Sequence, residues 1–192
     1  MVKDNIKDLD GFKEEIKDVE EQPMDDQDIR FYLPDAKILK YTDLRNYNDI
    51  NQLLPEPIDY VILLYLDAPN KGHWTALLKY HKFIEFFDPY GLKPDSELKW
   101  VDCNTRIKLG TVIPFITRLF NKVKDNQIVV YNPFKYQKEK SDVNTCGRHC
   151  VYRILKMIDY KMNLEQYYKH MQFLKKKYKI SFDEIVSTMI HE

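Results

Sequence analysis

The alternation of apolar and polar positions divides the chain into a strand-rich middle and a helical end. Tyr60 to Leu66 is a near-continuous apolar run, as expected of a central strand buried on both faces. The segment 67–72 has turn composition. His73 to Tyr80 and Phe83 to Phe87 read as two further strands joined around His81-Lys82, a hairpin. Gln127 to Tyr131 reads as a fourth strand. Ile113 to Val123 has helical spacing at Ile113, Ile116, Leu119 and Phe120, with Pro114 suited to a first turn. After Asn144 the stripe Val151, Ile154, Leu155 and Ile158 predicts a long helix. Two capping boxes, Asn163 with Gln166 and Ser181 with Glu184, open two more.

The N-terminal part is weaker. Phe12, Ile16 and Val19 fit one amphipathic helix or a mobile extension equally well. Asp25 to Asp28 precede Ile29, Phe31, Tyr32 and Leu33, so carboxylates in a first turn favour a short helix that Pro34 stops. Residues 35–57 look irregular or weakly helical, closed by Pro55 and Pro57, and 92–110 are mixed. Clustered strands followed by helices indicate an α+β domain. The expected division is an acidic extension over 1–24 and a single domain over 25–192.

Composition narrows the class. At 192 residues with 44% apolar content the chain can bury a core without disulfide staples. Its three cysteines make no disulfide framework. No apolar run approaches the ~20 residues of a membrane span, and nothing resembles a signal peptide. A non-secreted protein of a reducing compartment is expected. Net charge is zero but uneven: residues 1–28 hold 11 acidic and 4 basic side chains, and residues 131–180 hold 12 basic and 4 acidic. Two solvated faces of opposite sign account for that asymmetry, and a basic surface for an anionic partner is the alternative.

Candidate chemistry enters with three motifs in order: Gly72-His73-Trp74, Phe87-Asp88-Pro89-Tyr90-Gly91 and Asn144-Thr145-Cys146-Gly147. A thiol nucleophile needs a base to take its proton and a carboxylate to orient that base. Cys146 falls in the first turn of its helix, where free N–H groups and the macrodipole favour a thiolate. Gly147 leaves room beside the sulfur for a substrate carbonyl. His73 opens a strand immediately after Gly72, so its ring can project into a cleft, with Trp74 either on the other face or flanking the cleft as its wall. Asp88 ends the next strand roughly opposite His73, whereas Glu85 is out of register with it. His149 and His81 are rival bases of poorer geometry. Cys150, one turn beyond Cys146, reads as core. An oxyanion donor is sought among Gln137, Asn132 and Asn144; Asn144 fits a helix N-cap better.

These motifs, with Gln137, resemble the adenovirus-protease and ubiquitin-like-protease superfamily of cysteine peptidases, over about residues 25–155. The chain looks most like the maturation proteases of virophages and Polinton-type DNA viruses. The resemblance implies a central mixed sheet packed between helices, a papain-like core in the adenovirus-protease arrangement, with the cysteine at a buried helix N-terminus. It implies Cys146 as nucleophile, His73 as general base, Asp88 as its partner and Gln137 as oxyanion donor, with no cofactor and no metal. The adenoviral members carry Glu where Asp88 stands; the ubiquitin-like proteases carry Asp. The Gln137–Cys146 interval is a few residues longer than in the family, so the 138–143 loop is expected to bulge outward.

The implied activity is cleavage of viral capsid or core precursors at glycine-containing sites, by a monomer in the virion or the infected cell's virus factory. Removal of ubiquitin-like modifiers from host proteins is the alternative, and acetyl transfer from coenzyme A a remoter one. Adenoviral relatives use DNA and a peptide as activators, although zero net charge and the lack of a nucleic-acid motif argue against DNA. A non-enzymatic reading is a zinc module built from Cys146, His149, Cys150 and Cys103, which lacks the paired spacing of structural zinc sites.

Overall fold

The computed structural model describes residues 9–56, 59–68 and 71–191. Its elements are α1 (Leu9–Glu21), α2 (Asp26–Tyr32), β1 (Lys37–Lys40), α3 (Ile50–Leu53), β2 (Tyr60–Ala68), β3 (Lys71–Tyr80), β4 (Phe83–Phe87), α4 (Cys103–Leu109), α5 (Phe115–Phe120), β5 (Ile128–Tyr131), α6 (Cys146–Tyr160), α7 (Leu164–Tyr178) and α8 (Phe182–Met189), with 3-10 turns at Tyr41–Asn46 and Ser96–Trp100.

The strands form one mixed sheet in the order β1-β2-β3-β4-β5. The three middle strands are antiparallel and both edge pairs are parallel. Both faces are covered, which is why β2 is apolar without alternation. Val61, Leu63 and Tyr65 face a core with Tyr41, Ile50, Leu53, Phe115 and Leu119. Ile62, Trp74, Ala76, Leu78 and Phe87 face the opposite core, with residues of α2, α6, α7 and α8. The protein is therefore α+β, with a central mixed sheet between helical layers.

A buried ion pair fixes α6 on this second face. Arg153 donates to Glu85 twice, Nε to Oε1 at 2.9 Å and Nη2 to Oε2 at 2.6 Å, and Tyr80 adds a hydroxyl bond to Oε2 at 2.6 Å. Glu85 points to the face opposite His73, because the two occupy positions of opposite parity on the β3–β4 ladder.

The hairpin turn falls at 81–82, with His81 at φ 51°. The capping boxes at Asn163 and Ser181 form as expected. Pro69 and Asn70, at the tip of the expected 67–72 turn, lie outside the described residues, as do Pro57, residues 1–8 and the side chain of Phe12.

Several expectations change. Residues 35–57, read as irregular or weakly helical, contain edge strand β1, whose four residues are too few to show a period. The mixed stretch 92–110 holds α4, which buries none of its residues and so carries no apolar stripe. The helix expected over 113–123 shortens to α5, with Pro114 at its N-cap and Ile113 exposed. Within the first segment the described residues form helix α1, which packs against α8 with Ile16 and Glu20 buried.

Candidate active site

The turn after β4 sets the carboxylate. Gly91 N–H donates to Asp88 O at 2.8 Å, and Gly91 takes φ +72°, where a Cβ would come within 2.7 Å of Phe134 O. Tyr90 N–H donates to Asp88 Oδ1 at 2.9 Å. Asn132 braces the Asp88 backbone from both sides, accepting its N–H at 2.9 Å and donating to its carbonyl at 2.8 Å. That brace employs Asn132 structurally and removes it from the choice of oxyanion donors. Pro89 O accepts the N–H groups of Tyr136 and Gln137 at 2.8 and 2.9 Å, so the same turn also fixes Gln137.

His73 sits opposite Tyr65 on β2. The preceding Gly72 has no alternative, because a Cβ there would fall 1.6 Å from Tyr65 O. His73 Nε2 lies 2.8 Å from Asp88 Oδ1. The contact is diagonal: the β3–β4 ladder ends with Ala76 opposite Phe87, so its continuation would place Asp88 against Thr75, two positions from His73 on the same face. The Tyr90 ring stacks on the imidazole at 4.6 Å, and Trp100 meets it edge-on at 6.1 Å.

Cys146 opens α6. Thr145 occupies the N-cap position but makes no side-chain cap; its hydroxyl donates instead to Asp183 Oδ1 at 2.6 Å. The expected N-cap, Asn144, gives its side-chain amide to Glu21 O at 2.7 Å. Burial pushes the Cys146 thiol up, but a hydrogen bond and the charge of His73, with backbone hydrogen bonds from Trp74 and Gly147, outweigh it and hold the thiol below its ordinary value. Burial likewise lowers His73, yet hydrogen bonds to Asp88 and Cys146 push it up to about 10. With Nε2 on Asp88, Nδ1 is the ring nitrogen left for the sulfur. Both shifts favour a thiolate beside an imidazolium.

Gln137 is buried and donates Nε2 to Val143 O at 3.0 Å, which leaves its second amide N–H uncommitted. A cavity of about 190 Å³ is lined by His73, Cys146, Gln137, Tyr90, Glu97 and Trp100. A larger apolar cavity of about 340 Å³, between Phe83 and Tyr168, contains none of these groups.

Two cleft assignments are corrected. Trp74 turns to the opposite face of β3, where it is buried and its indole N–H donates to Met24 O at 2.9 Å. Trp100 lines the cavity in its stead. Gly147 is not open space for a substrate: a Cβ there would meet Met24 Cβ at 2.9 Å and Trp74 Cδ1 at 3.3 Å. It is small so that Met24 and Trp74 can close over the helix. Of the rival bases, His149 bonds Asp183 at 3.2 Å and His81 stays at the hairpin turn. Cys150 is core, its Sγ donating to Trp74 O at 3.4 Å.

Glu97 escaped the sequence reading. It lies in the 3-10 turn Ser96–Trp100 and is buried. Asp95 positions that turn: it accepts the N–H groups of Ile116 and Thr117 at the start of α5, and the hydroxyls of Tyr41 and Tyr65. Nothing periodic marks this contact in the sequence. Among the described residues, His73, Asp88 and Glu97 bring one ligand atom each within 4.8 Å of one another. His73 Nε2 is already engaged by Asp88. The residues considered for zinc are not gathered around one point, since Cys103 is exposed on α4 while His149 and Cys150 point to separate partners.

No family model matches the sequence. The chain is 36% identical over 157 residues to "Uncharacterized protein V9" of Sputnik virophage, covering 81% of this chain and 85% of that protein. The chain belongs to the family of this virophage protein. A solved structure, the central domain of the uncharacterized Lpg1148 protein from Legionella pneumophila, aligns with a TM-score of 0.36 at 16% identity, over 76% of this chain and 81% of that one. Among the described residues, no helix is long and apolar enough to cross a membrane.

Proposed function

We propose that the protein is a cysteine endopeptidase with a papain-like core in the adenovirus-protease arrangement. The observation that carries this reading is the Cys146 thiol at the start of α6, lining one cavity with a buried imidazole whose Nε2 meets Asp88 Oδ1 at 2.8 Å.

In the proposed reaction the Cys146 thiolate attacks the peptide carbonyl carbon. The oxyanion accepts from the Cys146 N–H and from the free amide N–H of Gln137. His73 gives its proton to the departing amine, and an acyl-thioester remains. Neutral His73 then takes a proton from water, which attacks the thioester and releases the acid. Asp88 keeps the ring in the tautomer and orientation that both steps need. The Tyr90 ring limits rotation of the imidazole.

The substrate reading is maturation of viral capsid or core precursors at glycine-containing sites, within the virion or the infected cell's virus factory. The virophage relative supports that setting. The test is cleavage of a proteome-derived peptide library by wild type and Cys146→Ala, with new N-termini read by mass spectrometry, alongside capsid precursors and ubiquitin-like modifier fusions. Glycine-flanked cuts made only by the wild type, and cleavage of the precursors, are expected. Cleavage of modifier fusions alone would move the substrate to the alternative class. Equal cleavage by Cys146→Ala would end the peptidase assignment.

A further inference from the structure

The far side of Asp88 presents a problem that the proposed reaction does not use. Asp88 Oδ1 accepts from His73 and Tyr90, but Oδ2 is buried and no hydrogen bond from an N–H or a hydroxyl reaches it. Glu97 is 3% exposed, and both of its carboxyl oxygens are likewise buried without such a donor. One oxygen of each carboxyl lies within 4.8 Å of the other. Two facing anions with no donor between them would be strongly unfavourable at such depth, whereas one shared proton satisfies an oxygen of each.

We propose that Glu97 is a positioning residue of this site: its carboxyl donates a hydrogen bond to Asp88 and so holds the carboxylate that orients His73. The inference rests on the peptidase reading only for its effect on turnover; the hydrogen bond itself does not depend on it. It extends the chain to Glu97–Asp88–His73–Cys146, with a neutral acid at the far end.

The surroundings favour the neutral form. Burial, then the charge of Asp88 and the hydrogen bond to it, push Glu97 up to about 9, with the charge of His73 opposing them. Tyr65 on β2 and Asp95 on the same connecting segment face the same region, with Tyr41 beyond. Asp67 and Tyr90 line the cavity, and among the described residues no lysine or arginine does. Among the described residues that line it, His73 is the cation available, and it is shared with Asp88 and the sulfur. Asp88 therefore keeps the negative charge, and Glu97 supplies direction without adding a second charge that would hold His73 too tightly to give up its proton.

The test uses the full chain and three readouts. Infrared difference spectra of wild type against Glu97→Gln at neutral pH should show a protonated-carboxyl stretch present only in the wild type. Alkylation of Cys146 by iodoacetamide should keep its pH profile in Glu97→Gln, which retains a neutral donor. In Glu97→Ala it should slow about tenfold or more at neutral pH, the value of one lost hydrogen bond to a charged group. On a peptide substrate, Glu97→Ala should lower kcat with KM nearly unchanged. Absence of the carboxyl band, or equal damage in Glu97→Gln and Glu97→Ala when both are folded, would overturn the proposal. If the band and the alkylation pattern hold but no variant, wild type included, cuts any peptide, the peptidase reading fails and the Glu97 assignment stands.

Discussion

The side-chain amide of Asn144 donates to the carbonyl oxygen of Glu21, joining the loop before Cys146 to the end of α1. The neighbouring contacts make it part of a strap. Asn144 N–H reaches Glu20 O at 2.7 Å, Trp74 reaches Met24 O, and Arg148 reaches Gln22 O. Deleting residues 1–24 should therefore lower stability by several kcal/mol and slow Cys146 alkylation, because four such bonds are worth about 1 kcal/mol each. Urea unfolding and thiol labelling of the truncated chain check this; unchanged values would show that the strap is incidental.

Gly147→Ala should destabilise the fold by about 1–3 kcal/mol, since its methyl group collides with Met24 and Trp74 inside a packed core. The measurement is the unfolding midpoint in urea. Adding Met24→Ala to Gly147→Ala should recover part of the loss if that collision is its origin.

Asp88→Asn weakens the hydrogen bond that raises His73 against its burial and removes the charge that adds to it. The imidazolium then stabilises the thiolate over a narrower range, and the acid limb of Cys146 alkylation should move to higher pH by roughly one unit or more. A profile that stays in place would mean that Asp88 does not govern the pair.

The His73–Asp88–Cys146 grouping was legible because each residue sits in a local motif whose geometry is short-range: a strand start, a DPYG turn and a helix start. Trp74 and Gly147 were misread because their neighbour, Met24, is some fifty residues or more from each along the chain. Glu97 left no trace at all, since its turn is placed by Asp95 bonding to the first turn of α5, a contact with no sequence period. The strand-rich middle was visible through hydrophobic runs, while β1 and α4 were too short or too exposed to generate one. How Asn144 is used could not be read either, because capping competes with a tertiary acceptor that only the fold brings near.

Arg153→Met should cost about 3–5 kcal/mol, because it leaves Glu85 charged and unpaired in the core. The double change Arg153→Met with Glu85→Leu should restore much of that loss, and a double-mutant cycle in urea would measure the coupling. Additive effects would contradict the buried-pair account.

Glu20 gives a pH signature. Burial raises it from 4.5 to about 7, with Lys138 opposing and Asp183, Glu184 and Asp142 assisting. A raised carboxyl binds its proton more tightly in the folded state, so its contribution is full below pH 4.5 and fades as pH rises through about 7. Relative to Glu20→Gln, the wild type should lose stability across that interval. Parallel stability curves for the two proteins would exclude this titration.

Thr145 owes its position to Asp183, a residue of α8. The strap reaches Cys146 from the opposite end of the chain. A nascent polypeptide that has just emerged past Cys146 thus lacks part of the scaffold that places the start of α6. Contacts of such sequence separation close late in folding. The surroundings that lower the thiol are complete only once α8 has joined the fold.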